Sequence, residues 1–158
     1  MTIIVEDGSI VDGANSYASI DDLFGYANML GIPFDICADT AENLLLRAAH
    51  IMETKYSLCF LGDKVSSTQP MDWPRSNVWV NGELVSNTTI PRDIYYGQMN
   101  IALESYTSST ISEYAIKREK FADMEIEYDT STPSQLYSYS TSSAKIRTYC
   151  RNVELVRS

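Results

Sequence analysis

Apolar residues recur at helical spacing in three stretches of the chain. In the first, Ile20, Leu23, Phe24, Ala27 and Leu30 follow Ser19, which with Asp22 three residues on makes a capping-box start. Gly31 and Pro33 mark its end. In the second, Ala41, Leu44, Leu45, Ala48, Ile51, Met52 and Tyr56 form a broad apolar face. Asp39 and Glu42 make a box-like start that also suits the helix dipole, and the helix fades near Lys55–Ser57. The third follows Pro91 and carries Ile94, Tyr95, Met99, Ala102, Leu103 and Tyr106, with Gly97 as a weak point inside it.

Other stretches carry the period of strands. Thr2–Val5 is β-branched and ends at Asp7-Gly8, a short strand and turn. Val78-Trp79-Val80 and Leu84-Val85 flank Asn81-Gly82, the pair that a type I′ hairpin turn requires. Met124, Ile126 and Tyr128 alternate with Glu125 and Glu127, as in a half-buried strand. The expected fold is therefore mainly α: a small bundle of about three core helices, an inserted β-hairpin and a C-terminal β or extended extension. Residues 1–110 form the helical core with a hairpin-bearing loop at 62–91, and 111–129 the β extension. Residues 130–143 read as a Ser/Thr-rich linker, and 144–158 as a docking tail too short to fold alone.

Composition narrows the function. The chain of 158 residues carries 12 Lys+Arg and 21 Asp+Glu, a net charge of −9. Such a balance disfavours non-specific binding to nucleic acid or to an anionic membrane. No apolar run reaches the ~20 residues of a membrane span, and the first residues lack the basic region of a signal peptide. Cys37, Cys59 and Cys150 are odd in number and far apart, which argues for reduced thiols in a cytosolic product and against a disulfide framework. The charge is uneven. Residues 1–62 hold two bases against nine acids, whereas after Asp129 four bases face only Glu154.

Catalytic chemistry is hard to assemble from these residues. A zinc site would need all three cysteines to converge, since His50 is the only histidine. His50 lies within the second helix, an awkward place for a general base, and reads as a helical residue at the core edge. Asp21-Asp22 and Asp39/Glu42 are accounted for by helix starts, and Glu125/Glu127 by a solvated strand face. No glycine-rich phosphate loop is present. The expectation is no enzyme, no metal and no cofactor. Eleven tyrosines and two tryptophans suit core and protein-interface packing better than base stacking, which also wants a basic groove.

Several segments in order resemble one family. They are Ile3–Val5 with Glu6-Asp7-Gly8, then Ala14-Asn15-Ser16-Tyr17, Leu45-Leu46-Arg47-Ala48 and Phe60-Leu61-Gly62. Gln69 with Trp73-Pro74-Arg75, Ile90-Pro91, Arg118-Glu119-Lys120 and Glu125-Ile126-Glu127-Tyr128 follow. Together they are similar to tailed-phage head–tail connector (adaptor, or head-completion) proteins, whose relatives are often labelled DnaT-like single-stranded DNA-binding proteins. Residues 130–143 depart from that pattern. The resemblance implies a structural protein of the virion, made in the host cytoplasm. It implies a ring, commonly of twelve copies, beneath the portal protein. Loops and a C-terminal extension would contact the portal and the next neck or tail component. DNA would be channel cargo only, which an acidic lumen lets slide.

On this reading the protein-interface residues are Trp73, Pro74, Arg75 and Trp79 in the long loop, and Ile146, Arg147, Tyr149, Arg151, Leu155 and Arg157 in the tail. Trp and Arg are typical interface anchors. Two placements stay open for Trp73, an interface or the chain's own core with Pro74 and Arg75 fixing the loop. Two also stay open for the tail, a neighbour or its own domain. The alternative function is a DnaT-like single-stranded DNA-binding module.

Overall fold

A computed structural model of the protein describes residues 2–119 and 144–151. Three helices build it: α1 (Ile20–Met29), α2 (Ala38–Tyr56) and α3 (Arg92–Glu119). Between α2 and α3 lie two short antiparallel hairpins, β1 (Asp63–Lys64) with β2 (Arg75–Ser76), and β3 (Trp79–Val80) with β4 (Glu83–Leu84). A single 3-10 turn, Arg147–Tyr149, follows Ile146. The mainly helical class and the hairpin agree with the sequence pattern. Among the described residues no helix is long and apolar enough to cross a membrane.

Local chemistry explains the helix ends. Ser19 accepts from the Asp22 amide while the Asp22 carboxylate accepts from the Ser19 amide, the reciprocal capping box. At the other end of α1, the Gly31 amide donates to Asn28 and the Ile32 amide to Ala27, a Schellman pair. Helix α2 begins two residues earlier than the Asp39–Glu42 box indicated. Its N-cap is Cys37, which makes no side-chain cap bond, so Asp39 acts through the helix dipole from within the first turn. Pro91 lies immediately before α3, and its carbonyl accepts from the Ile94 and Tyr95 amides.

Two expected strands read differently in three dimensions. Thr2–Val5 joins no ladder; Val5 makes one parallel bridge to Ser16. No other strand lies beside it, and the Asn15 side chain supplies the pairing instead. Residues 111–119, expected to open a β extension, continue α3. One turn earlier, Ser105 and Thr107 donate their hydroxyls to the carbonyls of Ile101 and Leu103. These bonds satisfy the two hydroxyls within the helix, so neither is left to cap or turn the chain there. The Met124–Tyr128 alternation and the 130–143 linker lie outside the described residues.

The core forms where α2 packs on α3, with α1 against both. Leu23, Leu45, Met52, Ile94, Ile101 and Trp73 are fully buried there. Phe24, Phe34 and Tyr106 stack in sequence, with centroids 5.4 and 4.9 Å apart, and tie the α1–α2 connection to α3.

Candidate functional site

The motif residues meet in a buried polar frame. Glu6 is buried, and its carboxylate accepts from the amides of Gly8, Ile10 and Val11, each at 2.9 Å. A buried carboxylate needs such donors, and three of them hold the loop after the first segment in one shape. Asn15 accepts from the Ile4 amide and donates to the Thr2 carbonyl, so it stands in for a neighbouring strand. Gln98, buried in α3, accepts from the Tyr17 amide at 2.7 Å and donates to Ser16 Oγ and to the Leu45 carbonyl. One amide thereby joins the N-terminal loop, α2 and α3.

The frame continues through Tyr17. Its hydroxyl donates to Glu53 Oε1 at 2.6 Å and accepts from the Trp73 amide. The Glu53 carboxylate also receives the Asp72 amide, and Asp72 Oδ1 receives Ser57 Oγ and pairs with Lys64 at 3.1 Å. Burial raises the Glu53 carboxyl to about 7, against the hydrogen bond from Tyr17, which favours its charge; the nearby Asp72 adds to the rise. Burial also pushes the Tyr17 phenol well above its ordinary value, with Glu53 contributing.

Trp73, Pro74 and Arg75 belong to the same scaffold. Trp73 is fully buried, edge-on to Phe60 and Tyr149 at 5.7 and 5.4 Å, and the Trp73–Pro74 peptide is cis. Arg75 is buried as well: Nε donates to the Leu61 carbonyl at 2.7 Å, and Nη2 to the Gly62 carbonyl at 2.8 Å. Gln69 accepts from the Ser66 amide and donates to the carbonyls of Met71 and Pro74. The motif fixes a long loop by satisfying its carbonyls from within.

The tail docks on its own domain. Ile146 is fully buried and sits over Gly97, where a Cβ would come within 2.8 Å of its side chain. The notch explains a glycine in the middle of α3. The Leu61 amide donates to Tyr149 and the Arg151 amide to Cys59, both at 2.7 Å. Cys59 and Cys150 are joined as a disulfide, with Cα atoms 4.7 Å apart, while Cys37 is free and exposed. This corrects the expectation of three reduced thiols. Ninety-one residues separate the pair along the chain, so only the return of the tail brings them together.

Two surfaces remain open. Trp79 and Leu84 face each other across the β3–β4 hairpin and are 61% and 58% exposed. Elsewhere a groove of about 470 Å³ runs between the N-terminal loop, α1 and the start of α3. Asp22, Tyr95 and Tyr96 line it and also a second hollow of about 240 Å³. Tyr96 stacks on Tyr26 and Tyr95 at 4.9 and 5.3 Å, and the Arg92 guanidinium lies 5.1 Å from the Tyr96 ring centre. Burial, reinforced by the Asp22 carboxylate, pushes the Tyr95 phenol up to about 12. No cluster of His, Cys, Asp and Glu that would hold a metal is found among the described residues.

The family model described as "Putative DnaT-like ssDNA binding protein" matches residues 1–158, the whole chain. The chain belongs to the DnaT-like family. No curated protein and no solved structure matches it.

In this DnaT-like chain the interface residues named from sequence separate into three groups. Trp73, Pro74, Arg75 and Ile146 are buried within the chain's own core, so they serve as scaffold and not as surface anchors. Trp79, Arg147 and Arg151 are exposed and Tyr149 is half-buried against Trp73. Leu155 and Arg157 lie outside the described residues. Sequence reasoning passed over Glu6, Gln98, Glu53 and the Tyr95–Tyr96 pair. A signal existed for Gln98: a polar side chain in a run of apolar α3 positions, between Ile94 and Ala102, needs a buried partner. His50 is exposed and takes no part in the frame.

Proposed function

We propose that this DnaT-like chain is a head–tail connector of a tailed phage. It would form a ring of identical copies, of about twelve by the resemblance, beneath the portal protein. It would join that protein to the next neck or tail component, with DNA passing as cargo and no membrane involved. The observation that carries the reading is the β3–β4 hairpin. It presents Trp79 and Leu84 to solvent from a loop made rigid by Gln69 and Arg75. A rigid platform that displays an exposed tryptophan suits recognition of another protein surface. The described motif residues from Glu6 to Arg75 hold the scaffold.

The family description favours single-stranded DNA, which makes that the second reading. Its aromatic requirement is met by Tyr95 and Tyr96. Its electrostatic requirement is not: Asp7, Asp21 and Asp22 border the tyrosines, with Arg92 the cation beside them. Phosphates entering such a groove meet a net repulsion. Electron microscopy of the purified protein, alone and mixed with portal, tests the connector. Rings, or a layer beneath the portal, are expected. A monomer that joins neither and instead binds an oligonucleotide tightly in low salt, by fluorescence anisotropy, reverses the choice.

A further inference from the structure

We infer that the segment following Arg151 in one copy, residues 152–158, docks in the Tyr95–Tyr96 groove of a neighbouring copy. The inference rests on the ring reading above and names its contact. The groove and the adjoining hollow share Asp22, Tyr95 and Tyr96, so they lie side by side about the half-buried rings. Flat tyrosine faces with polar tips are the chemistry that protein interfaces favour. Acids border both, exposed Asp7 at the groove and exposed Asp21 at the hollow, and Arg92 supplies one cation at the groove.

The segment matches this lining in both polarity and charge. Val153, Leu155 and Val156 offer apolar side chains to the rings, Glu154 a partner for Arg92, and Arg157 a partner for the acids. The segment itself carries one charge of each sign, and the basic excess of the tail comes from Lys145, Arg147 and Arg151 just before it. Those preceding bases favour encounter with an acidic border, and the pairing of Glu154 with Arg92 and of Arg157 with the acids fixes which way the segment lies.

The neighbour is preferred to the chain's own groove by the geometry of α3. Ile146 docks at Gly97; burial raises the Tyr149 phenol, with the Asp93 charge adding to the rise. The groove uses Arg92, Tyr95 and Tyr96. At 100° per residue these two sets lie about 130° apart around the helix. A tail that leaves one flank of α3 and enters the other flank of the next copy makes one heterologous contact. Repeated around a closed ring, that contact leaves no groove empty.

Full-length R157E, D21K and the doubly substituted chain test this by sedimentation velocity over a range of concentrations, with circular dichroism as the check on folding. Each single reversal is expected to raise the concentration needed for half-assembly about tenfold, and the pair to restore it to within about threefold. If all four proteins assemble alike, the tail–groove contact is overturned while the ring stands. If the wild-type chain never assembles, even with portal, the connector reading falls and this inference with it. Hydrogen exchange of residues 92–96 decides the occupant. Protection that R157E removes at concentrations where the wild type is monomeric would place a chain's own tail in the groove, and would overturn the neighbour.

Discussion

Gly97→Ala offers a substitution whose sign depends on the tail. In an ordinary helix interior, alanine for glycine stabilises by roughly 1 kcal/mol. At Gly97 the new methyl would come within 2.8 Å of both Ile146 Cγ1 and Cδ1. Ile146 is fully buried, so it cannot swing aside without lifting the tail. Overpacking of this kind costs about 1–3 kcal/mol. The net effect in the wild type is therefore a destabilisation of up to about 2 kcal/mol. Removing Ile146 first reverses the sign. Ile146→Ala alone costs about 2–4 kcal/mol by emptying a buried site. In that background Gly97→Ala loses its clash, keeps its helix propensity and stabilises by about 1 kcal/mol. Urea unfolding of the four proteins under non-reducing conditions measures the cycle. An equal effect of Gly97→Ala in both backgrounds would refute the docking of Ile146 on α3.

Three further outcomes follow from the same geometry. Glu53 has its carboxyl raised by burial to about 7, so its ionised form is the one disfavoured by folding. Its contribution is full below about pH 4.5 and is lost as pH rises to about 7; wild type should lose about 2–3 kcal/mol relative to Glu53→Gln across that window, and parallel stability profiles would count against the burial argument. Trp79→Ser should leave the midpoint of unfolding within about 0.5 kcal/mol of wild type, because the side chain is mostly exposed, yet weaken ring or portal association. A large loss of stability would mean that the tryptophan belongs to the monomer's core. Thiol titration of the denatured, unreduced protein should count one cysteine, Cys37, and three after reduction; three before reduction would remove the Cys59–Cys150 link.

Much of the scaffold was legible because it depends on neighbours in sequence. The Ser19–Asp22 box spans three residues, and the Asn81-Gly82 turn two, with φ of 53° and 83° as a type I′ turn requires. The end of α3 was not, because Ser and Thr carry opposite meanings by context. In an open chain they favour turns; within α3, Ser105 and Thr107 bond back to Ile101 and Leu103 and are accommodated in the helix. For the candidate site, Trp79 was expected at an interface, and it stands exposed on its hairpin. Trp73 was undecided, since a tryptophan that anchors a partner and one that fills a core are the same residue until its neighbours are known. Phe60 and Tyr149, 13 and 76 residues away, are those neighbours.

The sequence by itself determined three helices, one hairpin, the acidic balance and its reversal near the C-terminal end. These follow from periodicity, capping and counting, which need no fold. The tertiary structure decided where each motif's chemistry is directed. Glu6 turns inward to three amides, Arg75 to three carbonyls, Ile146 into the notch at Gly97, and Cys150 to Cys59. Except for Glu6, each of these joins residues more than ten positions apart or depends on a loop that such contacts shape. A polar group withdrawn from water must find a partner wherever the packed chain presents one. That requirement, and not the spacing of the motifs, turned four of the ten residues expected at an interface into scaffold and left Trp79, Arg147 and Arg151 at the surface.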